Sequence, residues 1–435
     1  MSVILVPGDY STISAAITSA EEGDEIHVTY GTYVENVDIN KDNIAIIGIA
    51  NGGGDYPVIQ LPGTPDPSFT IGGITYSVKA VGTSGWELST FDILSGVATT
   101  AGIYIADCSR FDIHDVLMED TNFDYGLTLG VVSGYNQNFR IDSCSIYGNT
   151  IGIDDQYSTI GSVQVTSCEF SGGDYGIGFA PPTSPPESIE YSPIAGGYSI
   201  PGMDPGKKAL YFVVKNKFTG DCRLSVECDE IGQGNPVQIV AYKNILMQTD
   251  NPVYLSETMV ESRLYSPGRE RYCIGGAPFL NFLGNYWEGY SSASENGIYS
   301  VPFIVSANHY DNYPLVGKWG PDYVSEGYYS VCTPVVGHVY DDAAIQEAGA
   351  DVPLGTVTII ISNAATGAVY HSGVTASDGS YSIPGDGSVP YDTELLASCR
   401  KDGYIHEEVK FTMDENAGSQ VELNFRLWTI HLYGR

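Results

Sequence analysis

The first forty-eight residues constrain the fold more than any other stretch of this chain. A helix-like run, with Ile13, Ala16, Ile17 and Ala20 at helical spacing, leads into Gly23 and Asp24. Short apolar strands follow at close intervals: Ile26 and Val28, then Val34, Val37 and Ile39, then Ile44 to Ile47. A repeat of matching grammar recurs downstream. Arg140-Ile-Asp-Ser-Cys-Ser-Ile-Tyr-Gly-Asn149 superimposes on Gln164-Val-Thr-Ser-Cys-Glu-Phe-Ser-Gly-Gly173, and a Gly-Ile pair follows each, Gly152-Ile153 and Gly176-Ile177. Cys144 and Cys168 are thus twenty-four residues apart, about one turn of a stacked β repeat. In the same alignment Val116 and Asn216 take the cysteine position upstream and downstream.

The opening resembles the capping helix and first rungs of a right-handed parallel β-helix of the pectin-lyase-like kind. Thr12, Ile13, Ala16, Ile17, Ala20, Gly23, Asp24, Ile26, Val28, Gly31, Thr32, Tyr33, Glu35, Val37, Ile39, Lys41, Ile44 and Gly48 carry that likeness. A second motif closes the bracket: Asn285, Tyr286, Trp287 and Tyr290, then Asp311, Tyr313, Pro314 and Leu315. It is similar to the end of the NosD-like β-helix group, a copper-related periplasmic family. The resemblance implies coils over residues 1–317. Within it, 181–208 are rich in Pro and Gly and 251–278 carry Arg263, Arg269 and Arg271, so both are read as excursions. Residues 318–333 read as a linker. From 334 to 435 an alternating β pattern with Gly and Asp-Gly turns resembles a carboxypeptidase-regulatory-like β-sandwich, an accessory module. Asp378-Gly379 reads as a turn rather than a metal site. The fold expectation is all-β: a right-handed parallel β-helix followed by a small antiparallel β-sandwich.

Composition supports a mostly β chain, with 51 Gly and 32 Tyr. The formal charge of −34 repels phosphate backbones, so nucleic acid is excluded as a partner. Such a surface suits a protein outside cells, a salty medium, or a cation binder. No stretch approaches eighteen apolar residues, so no membrane insertion is expected. The first strand follows Met1 directly, with no basic or apolar leader. That leaves a trimmed secreted chain, or one made in the cytoplasm that leaves in a particle. The eight cysteines contain no CxxC pair. Cys144 and Cys168 read as core ladder residues, a disulfide between them being the lesser reading; Cys222, Cys228 and Cys273 are placed to form a local clamp.

Catalysis on a β-helix needs clustered carboxylates, or a base with bound calcium. Glu119, Asp120 and Asp124 on one coil and Asp154 and Asp155 on the next are the places for it, against a reading as solvated turn residues. Arg140 is the only base in the coils from 111 to 177, which counts against lyase chemistry. The seven histidines have no metal-ligand spacing, so no metal or cofactor is expected and the copper association transfers poorly. Tyr125, Tyr135, Tyr157 and Tyr175 fall in or near turns and are candidates to stack on sugar rings. The expectation is a non-catalytic structural or adhesion protein outside the cell: a virion spike or tail, or an archaeal-type surface component. It would be homo-oligomeric or built into a particle, and would bind glycans or a host surface. A polysaccharide lyase or glycoside hydrolase is the alternative, and a copper-related periplasmic protein the weaker one.

Overall fold

The computed structural model describes residues 2–95, 100–118, 123–148, 150–181, 209–226, 237–256, 260–267, 269–274, 277–319, 335–341, 352–365, 367, 369–383, 394–401, 404–405, 407–412 and 421–429. The chain divides into two compact units, residues 1–267 with 283–316 and residues 268–282 with 317–435.

The first unit is a right-handed parallel β-helix. A 17-stranded sheet and a nine-stranded sheet enclose one continuous apolar core that runs from Val6 to Trp287. One coil shows the pattern. Thr159–Thr166 pairs in parallel with Asn136–Asp142 and Ala209–Val214. After a corner, Glu169–Gly172 pairs with Ser145–Gly148. Tyr175–Phe179 then joins the second sheet beside Ile151–Asp155. Strands this short hold together because each buries its inward side chains against the same positions of the next coil.

The first corner explains the cysteine repeat. Phe91, Val116, Cys144, Cys168, Asn216, Asn244 and Asn285 occupy equivalent positions in successive coils. The residue before each of the first six is in the left-handed region, at Thr90, Asp115, Ser143, Ser167, Lys215 and Lys243, which turns the chain. Cys144 and Cys168 are buried thiols with no bridge between them; each Sγ donates 3.2 Å to the carbonyl two residues earlier, of Asp142 and Thr166. Cys222 is also an unbridged, buried thiol. That removes it from the expected clamp, because its Sγ points to the Gly172 carbonyl at 3.2 Å. Cys228 lies outside the described residues, as does the Cys273 side chain.

From Cys168 onward the ladder becomes polar. The Asn216 Oδ1 accepts from the Cys168 amide (2.9 Å), Asn244 Oδ1 from the Asn216 amide (2.9 Å), and Asn285 Oδ1 from the Asn244 amide (3.1 Å). Asp311 ends the chain: its Oδ2 accepts from the Asn285 amide (2.7 Å) and from Trp287 Nε1 (2.9 Å), and its Oδ1 from the Tyr313 amide (2.9 Å). The closing motif therefore has a physical meaning. Asn285 is the last rung, Trp287 covers the core end against Phe303 with centroids 4.0 Å apart, and Asp311 satisfies the donors left over. The opening motif works in the same way. The helix Ile13–Ser19 buries Ile13, Ala16 and Ile17 over the first coil. Glu35 accepts from the amides of Ile13 (2.9 Å) and Ser14 (3.0 Å) at the helix start.

One expected boundary changes. Residues 251–278 do not leave the stack as a block: Val253–Leu255 and Val260–Arg263 pair in parallel with the preceding coil. Val253, Leu255 and Val260 are buried, and that apolar row keeps the segment in register despite its arginines. Only Glu270–Ile274 and Ala277–Asn281 depart, as an antiparallel hairpin. Residues 182–208 of the Pro/Gly-rich stretch, and 320–333 of the linker, lie outside the described residues.

A second row of close contacts predicts its own test. Gly102, Gly126, Gly152 and Gly176 follow Ala101, Tyr125, Ile151 and Tyr175, which are in register across the second sheet. A Cβ on Gly152 would stand 2.5 Å from the Gly176 carbonyl oxygen and 2.9 Å from the Phe170 ring. Gly152→Ala is expected to destabilise the unit by about 2–3 kcal/mol through overpacking. Its urea midpoint should drop well below that of a Gly52→Ala control placed in an exposed turn, where an added Cβ meets nothing within 4 Å; equal midpoints would mean the coils have room there.

The second unit contains two further sheets. Ser380–Ile383, Val335–Asp341, Phe425–Thr429 and Tyr404–Ile405 form one, and Val369–Val374, Thr358–Asn363, Glu394–Arg400 and Glu407–Thr412 the other. Both feed one core that includes Val339, Ile359, Ile361, Leu395, Ala397, Phe425 and Leu427. The first sheet is mixed, since Val335–Asp341 pairs in parallel with Phe425–Thr429. The long connection between those strands permits it. Asp378 accepts from the Ser380 amide (3.0 Å) and hydroxyl (2.6 Å), with Gly379 at φ 76°, so this dipeptide is a turn.

Candidate functional site

The second sheet of the β-helix carries two outward rows. One is Tyr76, Ala101, Tyr125, Ile151, Tyr175 and Arg223; the other is Lys79, Tyr104, Thr128, Asp154, Gly178 and Ser225. Leu127, Ile153 and Ile177 point into the continuous core, whereas Tyr76, Ala101 and Tyr104 belong to a separate apolar cluster with Tyr125 packed against it. Between the rows lies a cleft of about 310 Å³, walled by Ile151, Asp154, Asp155, Tyr175, Phe179 and Ser225.

Asp154 is half-buried, and burial holds its carboxyl above the ordinary range. Gln156 Nε2 donates to its Oδ2 at 2.9 Å. Asp155 differs although it is the next residue. It is in register with Leu129 on the inward row and is 3 % exposed. Its Oδ1 accepts from the Ser158 amide (3.0 Å) and hydroxyl (2.7 Å), and its Oδ2 from the Ala180 amide (3.3 Å). Burial pushes it up to about 7. Asp155 therefore fastens a turn. The two carboxylates lie on opposite faces of one strand and do not form the facing pair that glycoside hydrolysis uses. Glu119 and Asp120 lie outside the described residues. Asp124 precedes Tyr125 on the same strand and is half-buried.

The four tyrosines separate. Tyr175 walls the cleft, and Tyr125 stands two coils away in the same row, half-buried, its hydroxyl raised by burial and then by Asp154 and Asp124. Tyr157 is 51 % exposed in the turn after Asp155. Tyr135 is half-buried ahead of the strand Asn136–Asp142. Neither of these two is in the cleft wall.

Sequence reading missed Arg223. Its guanidinium lies 5.4 Å over the Tyr175 ring, and its Nε is buried without a hydrogen-bond partner among the described residues. In sequence it is forty-eight residues beyond Tyr175, past the Pro/Gly-rich stretch, and only the pairing Tyr175 to Arg223 brings it here. Arg140, the base that sequence reading did notice, is on the other sheet. There it forms a bidentate pair with Asp112, at 3.0 Å from Nε and 2.5 Å from Nη2.

Among the described residues no group of three His, Cys, Asp or Glu side chains gathers as metal ligands, and no helix is long and apolar enough to cross a membrane. His309 is buried, with Nδ1 2.8 Å from Ser262 Oγ.

No family model and no curated protein sequence matches this chain. Among solved structures it is similar to an alginate lyase from Paenibacillus sp. str. FPU-7 (14 % identity, 60 % of this chain and 99 % of the other, TM-score 0.35). It is similar over the same share to a pectin methylesterase from carrot (13 % identity, 80 % of the other, TM-score 0.35). A tailspike protein from Acinetobacter baumannii bacteriophage Fri1, a capsular polysaccharide depolymerase, aligns over 95 % of this chain and 78 % of its own at 8 % identity, with a TM-score of 0.26.

Proposed function

We propose that this chain is a carbohydrate-binding protein of an extracellular or particle surface. The β-helix would serve as a rigid arm, present in several copies, and the cleft on its second sheet as the sugar site. The observation that carries this reading is the cleft itself. It combines the Tyr175 ring, an outward carboxylate at Asp154 and apolar wall from Ile151 and Phe179. Aromatic faces stack on the apolar side of a sugar ring while polar neighbours take its hydroxyls.

A glycan panel tests it. Wild type is expected to bind at least one glycan class, and Tyr175→Ala to weaken that binding about tenfold, the equivalent of ~1.4 kcal/mol. Unchanged binding in Tyr175→Ala would move the site elsewhere, and no binding across the panel would remove the reading. Electron microscopy of the native source tests the surface role, which requires symmetric copies on a particle or envelope.

Polysaccharide cleavage is a second reading, favoured by the elevated Asp154 carboxyl in a cleft. It requires new reducing ends, or unsaturated-sugar absorbance, from the bound glycan, and loss of that signal in Asp154→Asn.

A further inference from the structure

Resting on the carbohydrate-binding reading above, the shape and charge of the cleft bear on which sugar enters it. Asp154, Gly178 and Ser225 are in register on successive coils. Gly178 has no side chain, so the row leaves a gap between Asp154 and Ser225, which stand two strand spacings apart, about 10 Å. The gap is part of the cleft, whose volume of about 310 Å³ is at the small end of ligand pockets, roughly 300–1,000 Å³, and suits one sugar ring. Asp154 lines it as a carboxylate without a counter-charge. Gln156 Nε2 donates to its Oδ2, and Oδ1 has no partner among the described residues. Burial raises the Asp154 carboxyl and the Gln156 amide opposes that, with no neighbouring cation to compensate it. Among the described residues no lysine, arginine or histidine lines the cleft; Arg223 lies beside the Tyr175 ring, outside the wall.

A half-buried carboxylate in this state gains most from a ligand that brings a positive charge as well as a donor. A primary ammonium brings both, with three N–H donors on a compact charge. A sugar hydroxyl or an acetamido N–H supplies the hydrogen bond without the charge. A uronate carboxylate is repelled, and by more than in water, because Asp154 is partly desolvated. The net charge of −34 at pH 7 also gathers cations around the chain. We propose that the cleft takes an amino sugar with a free, protonated amine, its ammonium in the gap over Gly178 against Asp154 and its ring against Tyr175.

The test compares the methyl glycosides of glucosamine, N-acetylglucosamine, glucose and glucuronic acid, with butylamine as an amine that has no ring. Binding to the full chain is read by titration at physiological ionic strength, in mild acid that keeps the amine charged. The variants are Asp154→Asn and Gly178→Val, and melting temperatures check that both are folded. A Cβ on Gly178 meets nothing closer than 3.8 Å, and its backbone is outside the left-handed region, so the added side chain fills the gap without straining the coil. The expected result is binding of the glucosaminide about tenfold tighter, or more, than of the other three sugars and of butylamine. Asp154→Asn should bring the glucosaminide down to the level of the glucoside, and Gly178→Val should abolish binding of both. Equal or tighter binding of any other of these ligands, or a preference that survives Asp154→Asn, would overturn the inference; the glycan panel with Tyr175→Ala judges the carbohydrate-binding reading separately. If no monosaccharide binds, that panel decides, with a de-N-acetylated glucosamine polymer among its members. A hit on the polymer that is lost in Asp154→Asn upholds the inference. A hit without a free amine that is lost in Tyr175→Ala overturns this inference alone, and an empty panel overturns both.

Discussion

Asn244→Ala is expected to destabilise the β-helix unit by about 4 kcal/mol, because it orphans buried backbone groups and leaves a cavity. Asn244 is 1 % exposed and uses both ends of its amide. Its Oδ1 accepts from the Asn216 amide (2.9 Å) and Asn216 Nδ2 (3.2 Å). Its Nδ2 donates to the Val213 carbonyl (2.9 Å) and to Asn285 Oδ1 (2.9 Å). After truncation Asn216 Nδ2 keeps the Val165 carbonyl, and Asn285 Oδ1 keeps the Asn244 amide. The Asn216 amide and the Val213 carbonyl lose the partners described here. Each orphaned buried group costs about 1–3 kcal/mol, and the cavity adds to that. Cys144→Ala in the same ladder is the control. Its thiol is a weak donor with apolar character, so about 1 kcal/mol is expected. Urea unfolding of both variants separates the possibilities. A gap of at least ~2 kcal/mol supports the amide ladder, whereas equal losses would mean the corner is held by packing alone.

The same ladder shows how far the sequence could be read. The cysteine spacing aligns coils correctly even across a substitution, with Val116 and Asn216 in the cysteine position, because a ladder demands one residue per coil at one corner. The motif around Asn285, Trp287 and Asp311 is visible as a pattern. Its role as the end of a hydrogen-bond chain is not, since that depends on Asn244 and Asn216, up to sixty-nine residues away. The candidate site is half legible. Asp154 and Tyr175 can be picked as a carboxylate and an aromatic on adjacent coils. That Asp155 turns inward follows from alternation with its neighbour Asp154 once its register with Leu129 is known, and the sequence does not give that register. Arg223 is illegible because a stretch of Pro and Gly breaks the repeat between it and its neighbour. Tyr135 and Tyr157 are picked on their turn positions, yet turns at different corners of a coil face different directions.

Stability is expected to be greatest near pH 5 and to fall steadily toward pH 9. Three groups drive this in one direction. Burial pushes Asp155 and Asp311 up to about 7, against an ordinary value of 3.8, although the N–H donors around Asp311 oppose the shift. For each, the folded state holds a proton that the unfolded state has lost, so stability declines as pH rises from about 4 to about 7. His114 continues the trend. Asp115 (2.9 Å from Nδ1) and then Glu87 (3.2 Å from Nε2) raise it from 6.5 to about 10, so its contribution is full below about 6.5 and is lost as pH approaches 10. Its side chain is 26 % exposed and solvent weakens its share. On the acid side, Asp24, Asp107 and Glu87 are held below their ordinary values: Asp24 by the Glu21 and Ser2 amides, Glu87 by His114, and Asp107 because burial, which raises it, is outweighed by the Val132, Gly134 and Ser133 amides together. Their stabilisation is present above about pH 4 and is lost as pH drops further. Repulsion within a chain of net charge −34 at pH 7 adds to the decline on the alkaline side. Together these amount to several kcal/mol between pH 5 and pH 9, on the order of ten degrees in Tm for a unit of this size. A melting series at constant ionic strength checks the sign, and Asp155→Asn checks the cause. That variant should melt lower at pH 5, where it loses the acceptor for Ala180, and should show a shallower slope between pH 5 and pH 7. A Tm that rises from pH 5 to pH 8 would mean that Asp155 and Asp311 ionise in the folded chain as readily as in the unfolded one.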